Sequence, residues 1–241
     1  MRVGISTPSG LVVAVDGPSG SGKTSTSRGV ARALGLRYLD TGAMYRALTW
    51  WFIAQGAAGT GVGEEAAGLD EERIAARVAE PRIEVSTDPD DPWTRVDGRD
   101  VSDDIRTSEV TARVSSVARV PAVRERLIGM QREIIADAEP GIVAEGRDIG
   151  TVVAPSAQLK VFLTAASEAR ARRRAAERGD AVDDTEADQA RRDRLDAAQS
   201  AKAGDAVLID ATDLTLEQVV GEIAGLARRR SSLACTGDAA N

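Results

Sequence analysis

The chain has 241 residues, 42% of them apolar, and its 31 basic against 38 acidic side chains leave a net charge of −7. That length suits one large domain or a core with a small excursion; no apolar run nears the ~20 residues of a membrane span, and an acidic chain lacks the basic face that wraps a nucleic-acid duplex. With no histidine and a single cysteine, Cys235, a Ser-His-Asp triad, Cys-His catalysis, His/Cys zinc sites and an intrachain disulfide are excluded, which leaves carboxylates, hydroxyls, cations and backbone amides in a reducing compartment, most simply the cytoplasm.

Residues 1–10 read as a loose leader. Leu11-Val12-Val13-Ala14-Val15 is a continuous apolar run bounded by Asp16-Gly17-Pro18, the pattern of a strand buried on both faces. It is too short for a signal-peptide core, so secretion is not indicated. A helix is expected from about Gly22 to Leu34, stopped by Gly35. A short strand, Arg37 to Leu39, leads to Asp40-Thr41-Gly42 and a helix through about Gln55. The Gly-, Ala- and Glu-rich stretch from Gly56 to Gly68 reads as a mobile connection. Residues 82–87 and 94–101 then alternate apolar and polar, with turns at residues 88–92 and Asp97-Gly98, as in a small antiparallel excursion.

Helix resumes near Thr107, and Pro121 falls in the first turn of the next helix, which ends before Pro140-Gly141. Ile142-Val143-Ala144 is a second buried strand, stopping at Glu145-Gly146-Arg147-Asp148. A third, Leu159 to Leu163, precedes a basic helix from Ser167 to Arg178. Residues 179–188 are acidic and turn-rich, and 189–199 look helical. Val207 to Asp210 is a last strand, Thr215 to about Arg229 an amphipathic helix, and the tail beyond Arg230 reads as disordered. Strands alternating with helices define an α/β fold with a parallel central sheet.

Gly17-Pro18-Ser19-Gly20-Ser21-Gly22-Lys23-Thr24 fits G-x-x-x-x-G-K-[ST] in full, between a buried strand and a helix. Its glycines let successive N–H groups turn inward as an anion nest, and the helix N-terminus adds partial positive charge. Lys23 reaches the β/γ-phosphates and the Thr24 hydroxyl is placed to ligand Mg²⁺. The loop predicts nucleotide binding without naming the phosphoryl acceptor. Asp40 or Thr41 caps a helix that carries Tyr45 and Arg46 one turn in. Glu145-Gly146-Arg147-Asp148 lies past a strand's carboxyl end, where ligands bind in open α/β sheets. Arg170, Arg172, Arg173, Arg174 and Arg178 read as a solvated helix face when taken alone; beside a phosphate loop they also suit a lid.

These residues resemble the bacterial cytidylate kinases, a family of P-loop nucleoside-monophosphate kinases. The likeness is carried by DGPSGSGKTS (16–25), LDTGAMYRALTW (39–50), SDDIRTSEVT (102–111), SSVARVPAVRERL (115–127), EGRDIGTVV (145–153), LKVFLTAASEARARRR (159–174), ARRDRLD (190–196) and DAVLIDATDLTLEQVV (205–220). GRDIGTVV with DTGAMYR is far more specific than the phosphate loop. The resemblance implies a three-layer α/β/α P-loop fold with a core over 11–57 and 111–229. A small insert for the nucleoside monophosphate would span 58–110, a helical lid about 165–185, and flexible tails 1–10 and 230–241.

By the same resemblance, Gly17 through Ser25 hold ATP, with Mg²⁺ arriving on the nucleotide, and Lys23, Arg46, Arg147 and Arg192 are catalytic. Arg46 and Arg147 clamp the phosphate of CMP or dCMP, with Tyr45 beside it. Ser115, Arg124 and Asp148 surround the cytosine, Thr41 stands where the family has Ser or Thr, and Arg192 and Asp196 face the ribose. The partners are then small molecules, ATP and CMP or dCMP, with no nucleic acid and no membrane, and the chain is a cytoplasmic monomer.

Cytosine offers an amino donor at N4 and acceptors at N3 and O2. An Asp can accept from the amino group while Ser and Arg donate to the acceptors. Uracil reverses this pattern, so a preference for cytosine is expected. Two other readings share the same loop: a P-loop kinase for UMP or a modified nucleotide, and an ATP-binding regulatory protein that no longer transfers phosphate. The second arises because Gln199 stands where the family has a further arginine, in a shortened 197–204 segment. A neutral amide cannot neutralise a phosphoryl group. Reduced activity, compensation by Lys202 or a lid arginine, and altered substrate preference all remain open, with compensation the reading carried forward. Gln199→Arg is expected to raise kcat in a steady-state assay; an unchanged or lower value would count against a role for this position.

Overall fold

Why the run after Gly10 is uninterrupted by polar residues is explained by its place in the molecule. In the computed structural model, which describes residues 10–56, 71–178, 193, 194, 196 and 200–237, it forms β1 (Leu11–Asp16). There follow α1 (Lys23–Leu34), β2 (Arg37–Asp40), α2 (Thr41–Ala54), α3 (Glu71–Arg77), β3 (Ile83–Val85), β4 (Thr94–Val96) and β5 (Arg99–Asp100). The remainder comprises α4 (Ser108–Ala118), α5 (Pro121–Ala136), β6 (Gly141–Gly146), β7 (Leu159–Thr164), α6 (Ser167–Arg178), β8 (Val207–Asp210) and α7 (Leu216–Gly237). A one-turn 3₁₀ segment precedes α4 and a π-helical turn, Ile149–Val153, follows β6.

The chain divides into two compact units, residues 1–39 with 132–241, and residues 40–131. In the first, five strands lie in the order β2-β6-β1-β7-β8, with β1 parallel to both β6 and β7 and β8 parallel to β7. β1 is thus the middle strand, and Val12 to Val15 are at most 1% exposed. A strand covered on both faces needs apolar side chains at consecutive positions. Val13, Val15, Val143, Val161 and Leu163 from the sheet pack with Val30, Ala31, Val219 and Ile223 from α1 and α7 in one cluster. Helix α1 stops at Gly35, whose φ of 65° closes the helix in the left-handed conformation. On adjacent strands, the buried Tyr38 hydroxyl donates to the Glu145 carboxylate.

The second unit contains α2 to α4, α5 as far as Gln131, and a three-stranded antiparallel sheet, β3-β4-β5. The expected excursion is present, and Asp97-Gly98, at φ 50° and 81°, makes the two-residue turn between β4 and β5. Asp40 caps α2, its Oδ1 accepting from the Ala43 amide at 3.0 Å, and Thr107 caps α4. All three tryptophans lie here. Trp51 meets Phe52 edge-on at 5.2 Å, and Arg77, Arg95 and Arg99 stack on Trp51, Trp93 and Trp50; the rings are packing groups, as expected.

One expectation needs amendment. Helix α7 does not stop near Arg229 but continues to Gly237, so residues 231–237 are helical rather than a disordered tail. No glycine or proline interrupts the chain between Arg229 and Gly237, so the strongest local stop signals are absent before Gly237. The segment after β6, for which no element was assigned beyond Asp148, forms a π-turn, Ile149–Val153. Of the expected mobile connection, residues 56–68, only Gly56 is described, and the acidic turn at 179–188 lies outside the described residues. Of the expected helix at 189–199, Asp193, Arg194 and Asp196 are described and are helical.

Tyr38→Phe should lower stability by about 1–3 kcal/mol, because the buried Glu145 carboxylate loses a donor. At roughly 2–4 °C per kcal/mol for a chain of this size, calorimetry should record a drop of several degrees; an unchanged Tm would refute a structural role for the pair.

Candidate active site

In the first unit the phosphate loop leaves the C-terminal end of β1, at the point where successive strands are added to opposite sides of the sheet: β6 on one flank, β7 on the other. Open α/β sheets bind ligands at such a point, since the two following connections diverge and leave a crevice. The loop is tightly seated. A Cβ at Gly17 would lie 2.0 Å from the Leu163 carbonyl oxygen, with φ at +153°, so only glycine fits. Gly22, at φ 90°, turns the chain into α1.

With the amides of such a loop turned inward, its carbonyls need cover elsewhere. Lys23 Nζ donates to the Gly17 and Pro18 carbonyls at 2.8 and 2.7 Å. Arg147 donates to the Gly17 carbonyl at 2.5 Å, and Arg170 to that of Ser19 at 2.9 Å. Ser21 Oγ is buried and has no hydrogen-bond partner, a donor for which the loop itself supplies no acceptor. Thr24 and Ser25 are exposed on the first turn of α1, where a hydroxyl can meet a hard cation carried by a nucleotide. Among the described residues there is no cluster of three acidic, histidine or cysteine side chains able to hold a metal.

The turn after β6 reaches the same loop. Arg147 pairs with Asp196 through Nε and NH2 at 3.1 and 3.0 Å. Asp148 is buried, and its carbonyl accepts from the amides of Val152 and Val153, so it begins the π-turn. Arg132 donates to the Val152 and Val153 carbonyls at 2.7 and 3.2 Å, closing the turn's far end. Beneath it, Asp16 is 4% exposed; its Oδ1 accepts from the Ile149 amide and Oδ2 from the Gly150 amide, both at 2.8 Å.

From α6, Arg170 bonds Asp193 at 2.6 Å, and Asp193 accepts from the Ser19 amide at 3.3 Å. Arg173 donates to the Ala211 carbonyl, while its NH1 stands 4.0 Å from where a Cβ of Gly22 would be. Arg172 faces away, 3.4 Å from Glu168. Of the arginines on this helix, Arg170 and Arg173 therefore face the phosphate loop; the side chains of Arg174 and Arg178, like Arg192 and Gln199 entirely, lie outside the described residues.

Within the second unit, Arg46 from α2 donates to the Thr111 hydroxyl at 2.9 Å and to the Ile105 carbonyl at 3.2 Å. Ser115 is one turn beyond Thr111 on α4, and both are buried. Thr41 is buried at the start of α2, while Tyr45 and Arg124 are half-buried. Arg46 and the α4 face bearing Ser115 thus meet in one unit, and Lys23, Arg147, Asp148 and Asp196 meet in the other. Asp16, Thr111 and Asp193 were not anticipated. The signal for Asp16 was a carboxylate closing an otherwise apolar strand; Thr111 and Asp193 had none, since each is defined by a partner distant in sequence.

A phosphate loop at the end of the middle strand of a parallel α/β sheet makes this a P-loop nucleotide-binding protein. The cytidylate kinase family profile matches residues 13–229. The chain is 51% identical over 215 residues to cytidylate kinase of Streptomyces avermitilis, covering 87% of this chain and 89% of that protein. It is 51% identical to the one of Streptomyces griseus (88% and 90% covered) and 46% identical to that of Mycolicibacterium paratuberculosis (94% and 99%). The chain belongs to the cytidylate kinase family, the ATP-dependent nucleoside-monophosphate kinases anticipated from its motifs.

Burial raises the Asp16 carboxyl above its ordinary 3.8; the Gly150 and Ile149 amides oppose this, Asp148 adds to it and Lys23 opposes it. The folded chain therefore binds this proton more tightly than the unfolded chain. Stability falls as pH rises from 3.8 through the raised value, and the cost of the charge is present in full above it. The stability of the wild type relative to Asp16→Asn should accordingly grow as pH is lowered through that window. Urea denaturation of both proteins over a pH series measures this, and a difference that shrinks toward acid would contradict it.

Proposed function

We propose that this chain transfers the γ-phosphoryl group of ATP to CMP or dCMP, giving CDP or dCDP and ADP, with Gly17 to Ser25 holding ATP and the remaining site residues holding the acceptor. The observation that carries the reading is the pairing of Arg147 with both Asp196 and the Gly17 carbonyl, next to the buried Asp148. A cation that touches the phosphate loop from a turn bearing a buried base-reading carboxylate has the reach to serve both substrates.

The acceptor nucleophile is a phosphate oxygen of CMP, already ionised at neutral pH. No general base is required, and catalysis consists of alignment and charge neutralisation. Lys23 and Arg147 offer cations at the loop, Arg46 with Arg147 clamps the acceptor phosphate, and Arg192 adds a further charge. Tyr45 lies beside that phosphate. Ser115, Arg124 and Asp148 read the cytosine edge, with Asp148 accepting from N4, and Asp196 and Arg192 take the ribose. Thr41 lines the acceptor pocket. Mg²⁺ brought by ATP supplies further neutralisation of the phosphates when bound, and the Thr24 hydroxyl is the side chain suited to hold it.

In this reading residues 58–110 form the monophosphate-binding insert and about 165–185 the lid, from which Arg170 and Arg173 approach the phosphates. The enzyme acts as a cytoplasmic monomer on small molecules, without nucleic acid or membrane. A single cysteine in 241 residues accords with a reducing compartment, and no described helix is long and apolar enough to cross a membrane.

ADP formation from ATP·Mg²⁺ should be measured with CMP, dCMP, UMP, AMP and GMP in parallel. Turnover is expected to favour CMP and dCMP strongly, and Lys23→Ala should abolish it for every acceptor. Asp148→Ala should narrow the CMP-over-UMP ratio of kcat/KM by about tenfold or more, since a buried base contact is lost. Equal loss for both nucleotides would make Asp148 a structural residue. ATP binding with no acceptor turned over would overturn the kinase reading.

A further inference from the structure

We propose that Asp16 is a positioning residue for the acceptor nucleotide: from the strand that launches the phosphate loop, its carboxylate holds the turn that carries Arg147 and Asp148 and so sets the base-reading group against that loop. The inference rests on the assignment of Asp148 to the cytosine. Three features of Asp16 carry it.

The first is its burial. A charged residue that merely ended a strand would be solvated, whereas Asp16 is 4% exposed. An ionised carboxylate is kept from water only where specific partners compensate it. The second is the identity of those partners. Each oxygen takes one backbone amide, from two consecutive residues, Ile149 and Gly150, both at 2.8 Å. Two N–H donors side by side need two acceptors at fixed spacing. Asn offers one acceptor and an NH₂ that opposes the second N–H, and Glu adds a methylene to a filled site. A Cβ at Gly150 would already lie 3.3 Å from Asp16 Oδ2 and 3.1 Å from Lys160 Cδ.

The third is the mechanical arrangement. Ile149 directly follows Asp148, whose carbonyl is fixed by the Val152 and Val153 amides. The turn is thus closed on itself, and beyond the ladder of β6 on β1 it is tied to the phosphate-loop strand by Asp16 and by the bond from Arg147 to Gly17. Releasing one lets Asp148 shift relative to the loop. Displacements of about 1 Å at a reacting centre can cost ~10²-fold. The loop's own backbone is not held by the Asp16 side chain, so the effect falls on the acceptor more than on ATP.

The test uses the 241-residue chain with Asp16→Asn, Asp148→Ala and the double variant, assayed on CMP and UMP with ATP·Mg²⁺ saturating and then with ATP·Mg²⁺ varied at saturating CMP, and with folding checked by thermal melts. Asn removes the cost of a buried charge as it weakens the anchor, so the fold is expected to survive. Asp16→Asn should raise KM for CMP and narrow the CMP-over-UMP ratio of kcat/KM by about tenfold, the scale of one hydrogen bond to a charged group, with KM for ATP changed less. The double variant should discriminate no worse than Asp148→Ala alone. If Asp148→Ala narrows the ratio and Asp16→Asn lowers CMP and UMP turnover equally, the positioning role is overturned while the site assignment stands. If Asp148→Ala leaves the ratio unchanged, the site assignment fails and the proposal with it. Should Asp16→Asn not fold, Gly150→Ala strains the same contact from the other side with the carboxylate intact, and an unchanged ratio there overturns the proposal.

Discussion

The first unit is organised around a carboxylate buried at the end of its middle strand. Asp16 accepts the amides of Ile149 and Gly150 and so binds two connections that the topology would otherwise send apart, the phosphate loop after β1 and the turn after β6. The arrangement is expensive, because burial pushes the carboxyl above its ordinary range. It persists because both oxygens are matched by donors. An apolar residue at this position would avoid the desolvation cost but leave two buried amides without acceptors, and such groups are more costly than a satisfied bond is favourable.

The cations around the loop follow the same logic. Gly17, Pro18 and Ser19 present carbonyls that Lys23, Arg147 and Arg170 cover. These three side chains come from α1, from the turn after β6 and from α6. A loop of glycines and serines has little packing of its own to hold its shape, and these charge-assisted bonds supply the restraint. Asp193 adds a carboxylate between Arg170 and the Ser19 amide. Three cations thus stand at one strand end of a chain whose net charge is −7, with Asp193 and Asp196 paired to two of them.

In the second unit the equivalent role falls to hydroxyls. Arg46 is oriented by Thr111 and the Ile105 carbonyl, and Ser115 repeats the buried hydroxyl one helical turn along α4. Two small polar side chains spaced by four residues on a buried helix face are costly unless they are used, and Arg46 uses the first. The tryptophans contribute bulk: each stacks with an arginine at the rim of the small sheet or its helices, in accordance with their reading as packing groups.

The sequence by itself determined the strands, the phosphate loop and the family, because these are local. A run of consecutive apolar residues, a glycine-rich loop with its lysine, and helix caps at Asp40 and Thr107 each depend on neighbours within a few positions. Arg46, Arg147 and Asp148 could be named from short motifs for the same reason. Only the tertiary structure decided which groups hold these residues in place. Asp16 meets Gly150, Tyr38 meets Glu145, Arg170 meets Ser19, and Arg147 meets Asp196 across separations of 134, 107, 151 and 49 residues. A hydrogen bond is satisfied by distance and direction in space, and a linear pattern carries neither until the parallel register of β1 with β6 and β7 is set.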